Sequence, residues 1–210
     1  MSHAAVLTVQ FLDFWHPGTG RTGGARVDAL ARRDRDGLPA LPGRTLKGVL
    51  RDAVRRAENF GWYDDLSADI ASPLDTLFGV PATVDGGSSP GALRVDGGRL
   101  GDAEISALAD TDGLNPAERA GRARLREGLR REIFRTRIES GSGTAAKGSL
   151  RGMEVYVPLA LFARVEWLRR AGEPPSWWIP AIRKALPLVD GLGANRSRGL
   201  GRAELTLEAS

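Results

Sequence analysis

The sequence predicts an α+β fold of the ferredoxin-like or RRM-type kind, in which the elements follow the order strand, helix, strand, strand, helix, strand. Four segments have the apolar composition or two-residue alternation typical of strands, namely 5–14, 91–96, 150–166 and 200–208. Two segments repeat apolar residues with the period of a helix, namely 45–60 and 176–189. The chain of 210 residues fits a single domain, 1–210, with an insertion at 97–149 between the second and third strands.

The first strand is predicted to be central in the sheet, because most positions on both of its faces are apolar. A glycine-rich loop follows it, from His16 to Gly24. This loop matches neither a Walker A motif nor GxGxxG, so a nucleotide pocket is not predicted.

The first helix has the most regular pattern in the chain, with apolar residues at Leu46, Val49, Leu50, Ala53, Val54 and Ala57. Pro42 and Gly43 are expected to prevent an earlier start, which makes Thr45 the predicted N-cap. Lys47 and Arg51 begin a basic stripe with four-residue spacing beside the apolar face. Because a helix N-terminus attracts anions, we predict that a backbone phosphate binds next to Lys47. The alternative is a core helix with a solvated charged face.

The remaining elements are predicted from local signals. Pro73–Phe78 forms a short helical turn, and Asn115 caps a helix that starts at Pro116 and continues to Ile133. Within the third strand, Pro158 marks a bulge or an edge. Ser176 is predicted to cap the second core helix, whose Trp178 belongs to the apolar face.

Composition excludes several classes of function. The chain has no Cys and two His, which excludes disulfides, thiol catalysis and a His-based metal cluster. It has no run of 18 apolar residues, and its N-terminus does not resemble a signal peptide, so we expect a cytoplasmic protein without a membrane partner. The net charge is only +4, but Arg119–Arg151 contains ten Lys or Arg against three Glu. Such a basic block predicts a polyanionic partner.

A second glycine-rich loop, Asp190–Gly201, has two arginines and a serine at its centre. Glycines allow the main chain to lie against phosphates, and arginine side chains can then clamp them. The residues predicted to bind are Gly193, Asn195, Arg196, Ser197 and Arg198. A turn with a purely structural role would not need two arginines and a serine at its centre.

Three stretches together resemble the RAMP superfamily, the RNA-binding subunits of CRISPR effector complexes. Leu38–Arg51 is similar to the family's "PGSSLKGxxR", Thr136–Val155 to "TRTxIDRxTGxAxxxxLRxxEVV", and Asp190–Gly201 to "GLGGxxSRGxG". In the family, the second stretch is a β-hairpin called the thumb, placed here at 136–152, which folds over the guide–target duplex. The resemblance implies that further RNA-binding residues are Arg44, Lys47, Arg51, Arg137, Lys147 and Arg151.

The resemblance also implies a catalytic residue. In the type III backbone subunit, a "GGxD" motif after the first glycine loop supplies the Asp that cleaves target RNA. Here Gly23–Asp28 stands ten residues before Leu38, so Asp28 is the candidate, although Ala29-Leu30 replaces the family's usual Asn-Pro. Asp28 could bind a divalent metal ion, Mg²⁺ first of all, jointly with RNA phosphate oxygens, or it could orient a 2′-OH. The alternative is an exposed carboxylate that balances Arg26 and Arg32.

By resemblance, the partners are guide RNA, target RNA, head-to-tail copies of the same chain and other CRISPR effector subunits. The predicted activity is metal-dependent endonuclease cleavage of target RNA. Two alternatives keep the fold without this reaction: an RNA-binding scaffold, or a terminal RAMP subunit present in one copy. A third is a guide-processing endoribonuclease with His16 as general base.

Overall fold

The computed structural model describes residues 2–20, 22–23, 27–65, 72–82 and 87–210. Its helices and strands, in chain order, are β1 (Ala4–Phe11), α1 (Gly43–Asn59), α2 (Pro73–Phe78), β2 (Gly79–Val80), β3 (Ser89–Pro90), β4 (Leu93–Val95), α3 (Asp102–Leu108), α4 (Pro116–Gly128), β5 (Arg130–Arg135), β6 (Arg151–Tyr156), β7 (Ala160–Trp167), α5 (Trp178–Ala185) and β8 (Ala203–Ala209).

The main sheet has four antiparallel strands in the order β4-β7-β1-β8. Strand β1 is central, as predicted, because Leu7 pairs with Ala163 of β7 on one side and with Leu207 of β8 on the other. Strand β7 lies between β1 and β4, which is the split βαβ arrangement of a ferredoxin-like domain. The predicted fold class is therefore confirmed.

The core lies between one face of this sheet and helices α1 and α5. Leu7, Val9 and Phe11 of β1 are fully buried there, whereas Val6 and Gln10, which alternate with them, are exposed on the opposite face. Leu46, Leu50 and Val54 of α1 complete the layer with the predicted helical period. Burial of each large apolar side chain stabilises the fold by about 1.5–3 kcal/mol.

The strand predicted over 150–166 is two strands, so that prediction is wrong in its continuity. Strand β6 pairs with β5 in a separate hairpin, from Arg130↔Tyr156 to Arg135↔Arg151. The chain then leaves the hairpin at Val157, and β7 enters the main sheet. Pro158 stands between the two strands, where its missing N–H cannot continue either ladder.

The hairpin also begins earlier than predicted, because α4 ends at Gly128 and does not continue to Ile133. Its two strands are β5 and β6, and residues 136–150 form the connecting tip, closed by a single bridge between Ile138 and Ala145. Helix α3, inserted before α4, was not predicted from the sequence. It has no buried residue, so its apolar pattern is weak.

The cap predicted for α1 is wrong. The helix begins at Gly43, and the carbonyl oxygen of Pro42 accepts hydrogen bonds from the N–H groups of Thr45, at 2.9 Å, and Leu46, at 3.2 Å. Glycine is required at 43 because a Cβ there would collide with the Val95 carbonyl oxygen at the end of β4. The close approach of helix and strand therefore sets the start of α1.

The other capping predictions gave mixed results. Asn115 and Glu118 form a reciprocal capping box at the start of α4, which confirms that N-terminus. Ser176 does not cap α5, whose N-cap position is Trp177. In the part of the chain that the structure describes, no helix is long and apolar enough to cross a membrane.

Candidate nucleic-acid interface

Asp28 lies on a short extended segment that runs parallel to β6. Its backbone N–H donates to the Gly152 carbonyl oxygen at 2.8 Å, and its Oδ2 accepts from the Gly152 N–H, also at 2.8 Å. Ala29 continues the pairing through a parallel bridge to Met153. The Asp28 side chain is 46% exposed, with Oδ1 at 3.6 Å from Nη1 of Arg151. One carboxylate oxygen is thus held by the backbone while the other faces an arginine.

Around Asp28 the structure forms a cleft of about 760 Å³, called here the Asp28 cleft. Its wall combines Asp28 with side chains from the hairpin and from the second glycine loop. The predicted site residues that line it are Asp28, Arg137, Arg151, Asn195 and Arg198, and Arg135 lines it as well. Three motifs that are far apart in the sequence therefore meet at one site.

The Asp28 cleft is strongly basic, because four arginines and a single carboxylate line it. Such a surface suits the phosphates of a nucleic acid. Among the described residues, no three His, Cys, Asp or Glu side chains are grouped to hold a metal ion. A divalent ion at Asp28 would therefore fit only with a nucleic acid bound, which would supply phosphate oxygens to complete its coordination.

The second glycine loop is fixed against both the core and the hairpin. Gly193 has φ +92°, and a Cβ there would lie 2.7 Å from the His16 carbonyl oxygen, so only glycine fits. Asn195 adopts a left-handed conformation with φ 61°, and its Nδ2 lies 3.6 Å from Sδ of Met153. Arg135 donates to the Arg198 carbonyl oxygen at 3.2 Å. The loop is thus packed in place and presents the side chain of Arg198 to the Asp28 cleft.

A second cleft, of about 380 Å³, lies between the glycine loop and the N-terminus of α1. It is lined by Arg44 and Thr45 from the helix, Arg32, and Gly193 and Arg196 from the loop. Three arginines at a helix N-terminus favour an anion. Arg44 and Arg196, both predicted to bind RNA, line this cleft together. Ser197 faces a third, wider depression of about 900 Å³, bordered also by Asp13 and Arg202.

Three of the predicted RNA-binding residues lie apart from these clefts. The Lys47 ammonium donates to the Leu93 carbonyl oxygen at 2.7 Å, and burial, followed by the nearby Arg170 and Arg51, lowers the pKa of Lys47. Arg51 is exposed on this side of α1. Lys147 is exposed at the tip of the hairpin. Lys47 therefore faces β4, and none of the three residues lines any of these clefts.

Part of the basic block between Arg119 and Arg151 has a structural role. Nη1 of Arg122 donates to the Ala109 carbonyl oxygen at 2.7 Å, and Nη1 of Arg126 donates to the Leu108 carbonyl oxygen at 2.6 Å. These bonds satisfy carbonyl groups at the end of α3 and join it to α4. The count of basic residues in the sequence therefore overestimates the charge available to a ligand.

Two buried polar residues lie behind the Asp28 cleft. His16 is only 3% exposed, and its Nδ1 lies 2.6 Å from the Glu154 carbonyl oxygen, so its ring is held in the interior of the domain. Glu154 was not identified as a site residue from the sequence. The signal available was its position in "LRGMEV", where strand alternation places it on the same face as Gly152.

The fold and the clefts define a ferredoxin-like domain with a basic surface built from a hairpin, a glycine loop and a helix N-terminus. The model of the RAMP superfamily matches residues 8–204, nearly the whole chain. The chain belongs to the RAMP superfamily, as the sequence motifs predicted. Among curated proteins, none matches this chain.

The solved structures that are similar to it in fold include the following two. One is a cryo-EM structure of the type III-B Cmr-beta bound to cognate target RNA, with 12% sequence identity and a TM-score of 0.65, covering 97% of this chain and 96% of that chain. The other is a cryo-EM structure of the type III-B Cmr-beta in the apo state, with 12% identity, a TM-score of 0.59 and the same coverage. At this identity the likeness establishes the shared fold.

Proposed function

We propose that the chain is an RNA-binding subunit of a type III CRISPR effector complex. Its membership of the RAMP superfamily and its likeness in fold to the type III-B Cmr-beta support this assignment. The observation that carries it is the Asp28 cleft, where Asp28, the hairpin and the glycine loop meet among four arginines.

The proposed ligand is an RNA backbone, contacted mainly through phosphates. The exposed side chains of Arg137, Arg151 and Arg198 are available in the Asp28 cleft, and Arg44 and Arg196 in the cleft at the start of α1. An RRM instead stacks bases on aromatic residues of its open sheet face. On the described open face of β1 the exposed side chains are Val6 and Gln10, which do not provide such stacking.

We further propose that Asp28 cleaves the target RNA, with a divalent cation held jointly by its carboxylate and RNA phosphate oxygens. Such an ion would stabilise the negative charge that develops on the phosphate. The chain itself would orient the strand through arginines on both sides of Asp28 and hold the carboxylate through Gly152. Copies arranged head-to-tail along a guide would give regularly spaced cuts.

A non-catalytic scaffold is the second candidate, and the surroundings of Asp28 favour it. Arg151 at 3.6 Å and the Gly152 N–H at 2.8 Å already occupy the two carboxylate oxygens. Ala29 makes two backbone hydrogen bonds to β6, since its N–H donates to the Gly152 carbonyl oxygen and its own carbonyl oxygen accepts from the Glu154 N–H. In that case the Asp28–Arg151 pair would join the segment to the hairpin without taking part in a reaction.

Cleavage of target RNA by guide-loaded complex separates the two candidates. The complex would contain the wild-type chain, Asp28→Ala, or the control Asp52→Ala on the exposed side of α1, each with Mg²⁺ and with EDTA. Regular cuts that need Mg²⁺ and disappear only in Asp28→Ala, with target binding retained, would support the nuclease. If the wild-type complex binds target RNA and does not cleave it, the result would support the non-catalytic scaffold.

A further inference from the structure

Behind the Asp28 cleft, Glu154 joins the segment that carries Asp28 to the hairpin. It is buried and does not line the cleft. We infer that Glu154 is a positioning residue, which holds Asp28 at the distance from the hairpin arginines that RNA cleavage requires. This inference rests on the proposed function, in which Asp28 acts on RNA.

The Glu154 carboxylate accepts three hydrogen bonds from two different parts of the chain. Oε2 accepts from the Ala31 N–H at 3.0 Å, and Oε1 accepts from Nη2 of Arg33 at 2.6 Å. Oε1 also accepts from Nη1 of Arg130, the first residue of β5, at 3.1 Å. Ala31 and Arg33 follow Asp28 by three and five residues. The carboxylate therefore connects the Asp28 segment to the opposite strand of the hairpin.

The backbone of Glu154 also joins the Asp28 segment to β6. Its N–H donates to the Ala29 carbonyl oxygen at 2.9 Å, and its carbonyl oxygen is in contact with His16. Asp28 itself is bonded to Gly152, two residues earlier on β6. The segment from 28 to 33 is thus attached to β6 at Gly152 and again at Glu154, and the second attachment includes a charged side chain.

The charge of Glu154 is what makes this attachment specific. Two guanidinium groups share Oε1, and charge-assisted bonds of this kind are stronger and shorter than neutral ones. Nε of Arg130 is buried and is not hydrogen-bonded, so the bond to Glu154 sets the orientation of that side chain. Without the carboxylate, the guanidinium groups of Arg33 and Arg130 would lose the counter-charge that they share.

Glu154→Gln is the sharpest test, because it keeps the size of the side chain and an acceptor for Ala31 while it removes the charge. We expect target cleavage by guide-loaded complex to slow by at least about tenfold at saturating target, since small displacements of a reacting group have effects of this size. Target affinity should be unchanged. Arg33→Gln should show a smaller loss in the same direction, and the control Glu208→Gln, exposed on β8, should cleave as the wild type does.

Hydrogen exchange of the full chain provides a second measurement that does not depend on cleavage. We expect Glu154→Gln to increase deuterium uptake at residues 28–33 while the central strand β1 stays protected. Normal cleavage together with normal protection of 28–33 would overturn the inference. Increased uptake throughout the protein, with loss of RNA binding, would overturn it too, because Glu154 would then serve global stability alone.

The two proposals can fail separately. If the wild-type complex does not cut RNA, the nuclease proposal fails, and local uptake at 28–33 in Glu154→Gln alone decides whether Glu154 anchors the segment. If the wild type cuts and the variant cuts equally well, the nuclease proposal stands and Glu154 is not a positioning residue.

Discussion

Two glycines of the second glycine loop, Gly193 and Gly199, provide a matched test of how this loop is held. Both have positive φ, +92° and +79°, so a change to alanine should cost each about 1–2 kcal/mol of backbone strain. Only Gly193 is in close contact. A Cβ there would lie 2.7 Å from the His16 carbonyl oxygen, whereas a Cβ at Gly199 would have nothing within 4 Å.

The expected difference between the two variants follows from this contact. Ordinary contact begins at 3.4 Å, so a methyl group added at Gly193 would require a shift of 0.7 Å (3.4 − 2.7) against main chain. Overpacking of this kind costs about 1–3 kcal/mol. Gly193→Ala should therefore lower the free energy of unfolding by about 2–5 kcal/mol in total, and Gly199→Ala by about 1–2 kcal/mol.

Urea unfolding of both variants and the wild type measures the two values directly. Each kcal/mol should also lower the melting temperature by about 2–4 °C for a chain of this size. Equal destabilisation by the two substitutions would refute the reasoning, because strain alone would then account for both. A Gly193→Ala variant as stable as the wild type would mean that the loop is not packed against His16.

Three further predictions concern the ligand, the hairpin tip and a buried tyrosine. Arg196→Ala and Arg198→Ala should each weaken binding to RNAs of any sequence and reduce the slope of log affinity against log salt by about 1. Arg164→Ala, on the open sheet face, is the control. An unchanged slope in either variant would show that the substituted glycine-loop arginine does not contact RNA. Deletion of Ser140–Gly148, which is exposed apart from one alanine, should leave the melting temperature almost unchanged, whereas a collapse would show that the tip is packed. Burial raises the pKa of Tyr156 to about 12, so the fold favours the neutral phenol. The stability that Tyr156 contributes is therefore complete below pH 10 and lost between about pH 10 and 12, by up to about 1.4 kcal/mol per pH unit. Urea unfolding at a series of alkaline pH values should show that the free energy of unfolding falls less steeply with pH in Tyr156→Phe than in the wild type. Equal slopes would show that Tyr156 is not responsible for this loss.

The fold was predictable because it depends on periodicity. The two-residue alternation of β1 and the helical period that begins at Leu46 each specify one buried face, and the order of the elements then selects the ferredoxin-like sheet. Boundaries were less predictable, because they depend on contacts between distant segments. Gly43 starts α1 since Val95 lies against it, and nothing adjacent to Gly43 in the sequence indicates that contact.

The Asp28 cleft was predictable only in its parts. Motif resemblance identified Asp28, Arg151 and Arg198, and the structure brings them together. Lys47 and Arg51 carried an equally strong motif signal but lie outside the Asp28 cleft, and Lys47 contacts the Leu93 carbonyl oxygen of β4. A basic stripe in the sequence does not indicate which side of a helix faces a cleft. Charge pattern therefore identifies candidates, and tertiary packing decides which of them share a surface.

Glu154 shows why the rest of the site was not predictable. A glutamate in a strand is ordinarily exposed. The motif resemblance includes Glu154, but nothing in "GMEVY" indicates that its side chain is buried. Its burial is acceptable only because Ala31, Arg33 and Arg130 supply three donors from 24 and more residues away in the sequence. Motif resemblance covers both Asp28 and Glu154, whereas the contacts of the Glu154 carboxylate depend on partners distant in the chain. The substitutions at Asp28 and Glu154 therefore test two separate parts of one site, the reacting group and its support.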